Sequence, residues 1–188
     1  GENANALMTE VFCGLRTNLQ FLLGKANHNV ILVTSTISGE GKTFVATNLA
    51  VSLALLDKRV VVVGLDIRRP KLLECFGFSH EEIKGKKGIT NYLSDNSIDL
   101  HSLLISAKNN SNLYILPAGT IPPNPAELIA RPALDTAIKL LAEEFDYVIL
   151  DSAPVGLVSD ALIASRLADI TLYICRADYS HKSDFDLI

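Results

Sequence analysis

The sequence predicts an α/β fold, a parallel sheet flanked by helices on both faces. Three observations carry that prediction. Five apolar runs of strand length are continuous rather than alternating, which marks strands buried on both faces. Segments of helical period lie between them. A glycine-rich stretch joins the first run to the helix behind it, as in sheets that bind ligands at strand ends.

In chain order, Leu7, Val11, Leu15, Leu19 and Leu22 recur at helical spacing, so an amphipathic helix is expected over about 3–23, ended by Gly24. Residues 29–35 form the first buried run, followed by a helix over 42–56 and a second strand over 60–65. Residues 70–112 are less regular, with short helices expected over 89–93 and 100–105. Further strands are expected at 113–116, 147–150 and 170–175, and helices at 125–131, 132–144 and 160–168. Alternating strands and helices are the pattern of parallel sheets with crossover connections. No internal repeat and no low-complexity segment interrupts it.

Composition narrows the function classes. A chain of 188 residues fits a single domain spanning 1–188. Lys and Arg number 17 against 21 Asp and Glu, a net charge of −4, so no global field draws the chain to nucleic acid or anionic lipid. Apolar residues make up 48% and charged residues 20%, a globular composition. No apolar run approaches the ~18 residues of a membrane span, and the N-terminus lacks the basic start and apolar core of a secretion signal. Cys13, Cys75 and Cys175 are odd in number, far apart and without a C-x-x-C pair. That excludes a disulfide scaffold, a zinc knuckle and an iron–sulfur ATPase, and fits a reducing compartment. Cys75 and Cys175 lie in apolar stretches and are expected to be inert core thiols. His28, His80, His101 and His181 show no metal-ligand spacing. The last expected strand ends close to Ile188, where another helix is expected, so the chain reads as cut from a longer protein, with Gly1 a cloning remnant.

The chemistry is concentrated in Ser38-Gly39-Glu40-Gly41-Lys42-Thr43, between the first strand and a long helix. There, backbone N–H groups can wrap a phosphate and the helix N-terminus adds partial positive charge. Lys42 would reach the β- and γ-phosphates and the Thr43 hydroxyl would hold Mg²⁺; Phe44 follows as the last residue of the expected nucleotide contact. The usual pattern begins with glycine, where this chain has Thr36. Asp151 ends the strand at 147–150 and is expected in the Mg²⁺ shell of the nucleotide. Asp66 ends the second strand, before Arg68-Arg69-Pro70. Two readings of it stand: a carboxylate that receives or orients a hydroxyl proton near Mg²⁺, or an ion-pair partner of Arg68 or Arg69 on a solvated loop.

Together these segments resemble the bacterial tyrosine kinases of capsular and exopolysaccharide export, whose pattern is an atypical Walker A, a Walker A′ ending in an aspartate pair, and a Walker B. Leu15-Arg16-Thr17-Asn18 and Arg68-Arg69-Pro70 extend the likeness, and the stretch from Leu116 to Leu128, L-P-A-G-T-I-P-P-N-P-A-E-L, carries it furthest. The resemblance implies a P-loop fold of the partition-ATPase type and an ATP-dependent autokinase that phosphorylates a tyrosine-rich C-terminal tail, usually on a neighbouring kinase subunit. It implies ATP or ADP with Mg²⁺, Lys42, Asp66 and Asp151 as catalytic residues, and Thr43, Asp66 and Asp151 at the metal. It implies a transmembrane chain-length regulator or activator protein, a cognate phosphatase, no nucleic acid, and a place at the inner face of the plasma membrane, with this piece soluble in the cytoplasm.

The chain also departs from the pattern. Gly64 stands where the first Walker A′ aspartate is usual, and the E-x-x-R-x-x-R assembly motif reads Glu10, Cys13, Arg16. No tyrosine cluster is present: Tyr92, Tyr114, Tyr147, Tyr173 and Tyr179 are scattered, and Tyr179 is expected to pack or cap. Gly64 and the missing cluster favour a non-catalytic ATP-binding regulator as an alternative. A partition or cell-division ATPase is another, although its signature lysine position is Ile37 here. Lys84, Lys86 and Lys87 read most plainly as solvated surface, or else as a contact for an acidic tyrosine-bearing tail. Asp160 reads as a helix N-cap, with the metal's outer shell as the alternative.

Overall fold

A computed structural model describes residues 2–24, 29–95, 97–155 and 160–180. Helix α1 (Glu2–Leu23) opens the chain, and Gly24 closes it by donating its N–H to the Gln20 carbonyl at 3.2 Å. Strand β1 (Val30–Ser35), helix α2 (Lys42–Ala54) and strand β2 (Val60–Gly64) follow. The irregular region holds α3 (Leu72–Cys75), α4 (His80–Ile83), α5 (Ile89–Ser94), a 3-10 turn (His101–Leu103) and strand β3 (Ile105–Ala107). Strand β4 (Asn110–Leu116), helices α6 (Pro125–Ile129) and α7 (Pro132–Glu144), strand β5 (Tyr147–Asp151), helix α8 (Asp160–Ser165) and strand β6 (Ile170–Ile174) complete the fold.

Among the described residues one sheet runs β3-β4-β2-β5-β1-β6, parallel throughout except for the antiparallel edge pair β3–β4. Alternate strand residues serve two cores. Leu32, Val61, Val63, Val148 and Leu150 face α5 to α8, whereas Ile31, Val33, Val60, Val62 and Ile149 face α1 and α2. Burial on both faces is why these runs carry no polar alternation. The order sets the C-terminal ends of β2, β5 and β1 side by side, where an open α/β sheet offers its ligand crevice.

The expected short helix over 100–105 is corrected. It is a 3-10 turn that hands over to β3, because Ile105 pairs with Ile115 across the edge of the sheet. Protonated His101 donates there to Glu144 (Nε2–Oε1 2.7 Å) and to Asp99 (Nδ1–Oδ1 3.3 Å), tying the turn to the end of α7. Hydrogen bonds to Glu144 and then to Asp99 raise the His101 pKa. A raised folded-state pKa favours the protonated form, so this link stabilises the protein fully below the unfolded value of about 6.5 and is lost as pH rises through the higher folded value. Half-exposed as it is, the link is worth less than about 1 kcal/mol. His101→Ala is expected to flatten the fall in urea midpoint between acid and mildly alkaline pH; an unchanged slope would assign that fall to other groups.

The Leu116–Leu128 signature acquires a structural meaning at its start. Pro117 and Ala118 accept the N–H groups of Ile89 and Thr90 at 2.9 and 3.0 Å, and Thr120 accepts the Thr90 hydroxyl at 2.7 Å. The two backbones approach so closely that a Cβ on Gly88 would lie 2.0 Å from the Pro117 carbonyl oxygen. Neither partner is a movable side-chain tip, so Gly88→Ala is expected to cost about 3 kcal/mol or more, read as a drop in urea midpoint. A wild-type midpoint would show that the strap relaxes freely.

Candidate functional site

The loop between β1 and α2 turns at Gly39 (φ 94°) and Gly41 (φ 96°), both in the left-handed region that favours glycine. Gly41 is the N-cap of α2 and brings no side chain to cap it. The first amides of a thirteen-residue helix therefore face the crevice, the arrangement that binds phosphate. Glu40 is buried, and its carboxylate braces the loop, accepting the Ile37 N–H at 2.9 Å and a short hydrogen bond from the Ser180 hydroxyl. Phe44 points away: its ring meets Phe12 of α1 edge-on at 6.1 Å, so only its backbone can serve the loop.

The four expected catalytic and metal residues converge in two pairs. Lys42 Nζ donates to Asp66 Oδ2 at 2.8 Å, with both side chains about nine-tenths buried. Thr43 Oγ1 donates to Asp151 Oδ1 at 3.2 Å. The Asp151 carbonyl accepts the N–H groups of Leu65 (2.8 Å) and Asp66 (3.0 Å), which clamps the end of β2 to the end of β5. Asp66 Oδ1 accepts the Arg69 N–H at 3.2 Å. The solvated-loop reading of Asp66 is thus corrected: the residue is buried, and its cationic partner is Lys42.

Burial pushes the Asp151 carboxyl up to about 7, against the opposing pull of the Lys42 charge and the Thr43 hydroxyl, with Asp66 raising it further. A buried carboxylate short of positive charge, beside a hydroxyl, is a hard-oxygen pair that suits Mg²⁺. That ion keeps most of its waters and takes one or two carboxylates plus phosphate oxygens. Among the described residues no cluster of three or more His, Cys, Asp or Glu forms a self-sufficient metal cage, so phosphate oxygens would have to complete the shell.

The sequence reading missed the segment behind β6. Tyr179 donates its hydroxyl to the Ser38 carbonyl at 3.0 Å, and Arg176 donates to the Gly39 carbonyl at 3.2 Å while its guanidinium lies 5.2 Å from the centre of the Tyr179 ring. Thr36, at the first-glycine position, shares a short hydrogen bond with the Tyr173 hydroxyl. Tyr179 therefore packs on the loop as expected. The rest of this brace comes from well over a hundred positions away, where no local spacing signals it.

With that geometry in place, comparison with known proteins is decisive. The family described as an AAA domain matches residues 28–178. The tyrosine-protein kinase CpsD of Streptococcus agalactiae serotype III is 35% identical over 168 residues, covering 89% of this chain and 69% of that protein. The chain belongs to the bacterial tyrosine-kinase family. The kinase domain of Escherichia coli tyrosine kinase ETK superposes with a TM-score of 0.87 at 27% identity, covering 95% of this chain and 68% of that one. The septum site-determining protein MinD of Pyrococcus horikoshii, solved with Mg-ADP, matches with a TM-score of 0.67 at 24% identity over 84% of this chain and 61% of its own. The latter likeness is one of fold, and it bears out the partition-ATPase type of architecture.

Within this kinase fold one expectation is corrected, and one residue of the assembly motif gains a partner. Cys75 and Cys175 are exposed rather than core thiols, since α3 turns Leu72 and Leu73 inward and β6 is an edge strand. Arg16 of the assembly motif turns into its own chain, donating to the Ser52 carbonyl at 2.8 Å and the Ser52 hydroxyl at 3.3 Å. Asp160 opens α8, but the expectations for its carboxylate, like those for His28, His181 and the chain end at Ile188, lie outside the described residues.

Proposed function

We propose that residues 1–188 form a single P-loop kinase domain that transfers the γ-phosphate of ATP to tyrosine in the regulation of capsular or exopolysaccharide polymerisation and export. The observation that carries this reading is the meeting of Lys42–Asp66 with Thr43–Asp151 at the adjoining ends of β1, β2 and β5. In this reading residues 38–44 bind the nucleotide phosphates. Mg²⁺, when bound, supplies charge neutralisation across the β- and γ-phosphates. Thr43 and Asp151 hold and orient it, with Asp66 beside them. Lys42 leaves Asp66 for the phosphate oxygens, which frees Asp66 to accept the tyrosine hydroxyl proton. The phenol oxygen then bonds to the γ-phosphorus as the bond to the ADP oxygen breaks.

The test is incorporation of labelled γ-phosphate into a tyrosine-bearing acceptor with Mg·ATP. Nucleotide binding without transfer would favour the ATP-binding regulator. One observation supports that alternative: a Cβ at Gly64 would lie 3.1 Å from the Ala118 nitrogen, so the strap crowds the place of the usual first Walker A′ aspartate.

The partners in this reading are a transmembrane chain-length regulator or activator, a tyrosine-rich tail, a cognate phosphatase and neighbouring kinase subunits. The proposed place is the inner face of the plasma membrane, beside those partners; among the described residues no helix is long and apolar enough to cross a membrane. For assembly, Cys13 offers none of the forked donors of arginine, and Arg16 is engaged on α2. Met8 of α1, Val51 of α2 and Leu55 just behind it leave exposed apolar surface beside Cys13. Light scattering is expected to find a monomer or weak oligomer at micromolar concentration, and Cys13→Arg to shift it towards larger species. A stable closed ring from the unmodified chain would show that other contacts carry assembly.

A further inference from the structure

The basic residues of this acidic protein are unevenly placed. Arg68, Arg69, Lys71, Lys84, Lys86 and Lys87 are six of its 17 Lys and Arg residues, all exposed, and all lie in the stretch between β2 and β3. The acids among them are partly neutralised: Glu82 is paired with Lys108 at 2.8 Å. Lys84, Lys86 and Lys87 make no ion pair among the described residues.

The loop that carries these lysines ends on a close backbone contact. Gly88 follows Lys87 directly and is locked against the Pro117–Gly119 strap, whose other side closes on Gly64, two residues before Asp66. Between strap and loop lies a cleft of about 70 Å³ lined by Pro70, Leu72, Leu73, Ile83 and Lys86, with Glu74 as its one acid. Lys86 and Lys87 also border a second hollow of about 560 Å³, lined by Leu103, Ile105 and Asp99, whose carboxylate is taken by His101. Lys86 stands between the two. Helix α3, which walls the cleft, is close enough to the catalytic carboxylates that Asp151 helps to raise the Cys75 thiol, after the larger effect of partial desolvation.

We infer that the Lys84–Lys87 loop is a docking rim for acidic residues flanking the acceptor tyrosine, so that this kinase selects acidic tyrosine peptides. The inference rests on the tyrosine-kinase reading and adds the substrate's charge class and the residues that read it. In this inference the acceptor tyrosine reaches Asp66 past the strap, and the carboxylates beside it meet the exposed ammonium groups of Lys84, Lys86 and Lys87. Such contacts are solvent-exposed, so they act on encounter and ground-state affinity more than on the chemical step, and they weaken with salt.

The test uses fluorescence anisotropy on the protein with Mg·ADP and two labelled synthetic peptides, one with its tyrosine flanked by glutamates and one by lysines. The acidic peptide is expected to bind at least about tenfold tighter, and Lys84→Glu, Lys86→Glu and Lys87→Glu together are expected to remove that preference. The glutamine versions are expected to fall between. In turnover, KM for the acidic peptide is expected to rise by at least about tenfold in the triple variant, with kcat within about twofold and Mg·ADP affinity unchanged. Equal affinity of the wild-type protein for both peptides overturns the rim, as does a wild-type preference in the triple variant. Loss of nucleotide affinity in the variant overturns it by assigning the lysines to the phosphates. Loss of binding to phosphatidylserine vesicles with the peptide preference kept overturns it in favour of a lipid surface. A rim that selects the acidic peptide while neither peptide is phosphorylated would instead sink the kinase reading and leave the rim standing.

Discussion

Replacing Lys42 with methionine is expected to abolish nucleotide binding. The ammonium is the cation between two buried carboxylates, held 2.8 Å from Asp66 and felt by Asp151. Methionine keeps the length and apolar stem and removes only the charge and its donors. Phosphates entering the variant would meet Asp66 and Asp151 without the opposing charge, so attraction becomes repulsion in a poorly solvated site. A loss of at least about 100-fold in affinity, ~2.7 kcal/mol, is expected by titration calorimetry, along with a lower melting temperature because Asp66 loses its cation. Heat of binding equal to the wild-type protein would refute the phosphate-loop assignment.

Much of this site is legible in the sequence because its parts are local. Val30 to Ser35, Val60 to Gly64 and Tyr147 to Asp151 are apolar runs that lead directly to the phosphate loop, to Asp66 and to Asp151, and α7 is bounded by Pro132 and Glu144 where its period begins and ends. The stretch between β2 and β4 resists reading for the opposite reason. Its helices α3 and α4 are four residues long, too short for a period. Helix α4 is set by a capping box in which the Ser79 hydroxyl accepts the Glu82 N–H and the Glu82 carboxylate accepts the Ser79 N–H. That S-x-x-E signal stands in the sequence and could have located the helix. Strand β3 has no such mark: three residues with half-buried ends become a strand only because β4 lies beside them. The role of Gly64 and Gly88 as the two sides of one strap is likewise a tertiary fact, as is the Tyr179 brace on the phosphate loop.

The structure also sharpens what Asp66 should do, because the lysine that must reach the phosphates is held by this carboxylate before nucleotide arrives. Asp66→Asn removes the ion pair but leaves an isosteric amide that can still accept the Arg69 N–H, so the turn behind β2 has no reason to change. Lys42 is then freer to meet phosphate, and nucleotide affinity is expected to stay within about tenfold of wild type (~1.4 kcal/mol). Transfer is another matter. A tyrosine hydroxyl with a pKa of about 10 needs an acceptor for its proton or a carboxylate to orient it, and an amide is a far weaker base. Loss of a positioned proton acceptor costs about 10²–10⁴ in rate, so phosphorylation of an added tyrosine-bearing peptide is expected to fall at least about 100-fold. Binding by calorimetry and transfer by phosphotyrosine detection on the same preparation separate the two effects. If Asp66→Asn transfers phosphate at the wild-type rate, the carboxylate serves only to hold Lys42 in place, and the proton of the acceptor hydroxyl leaves by another route.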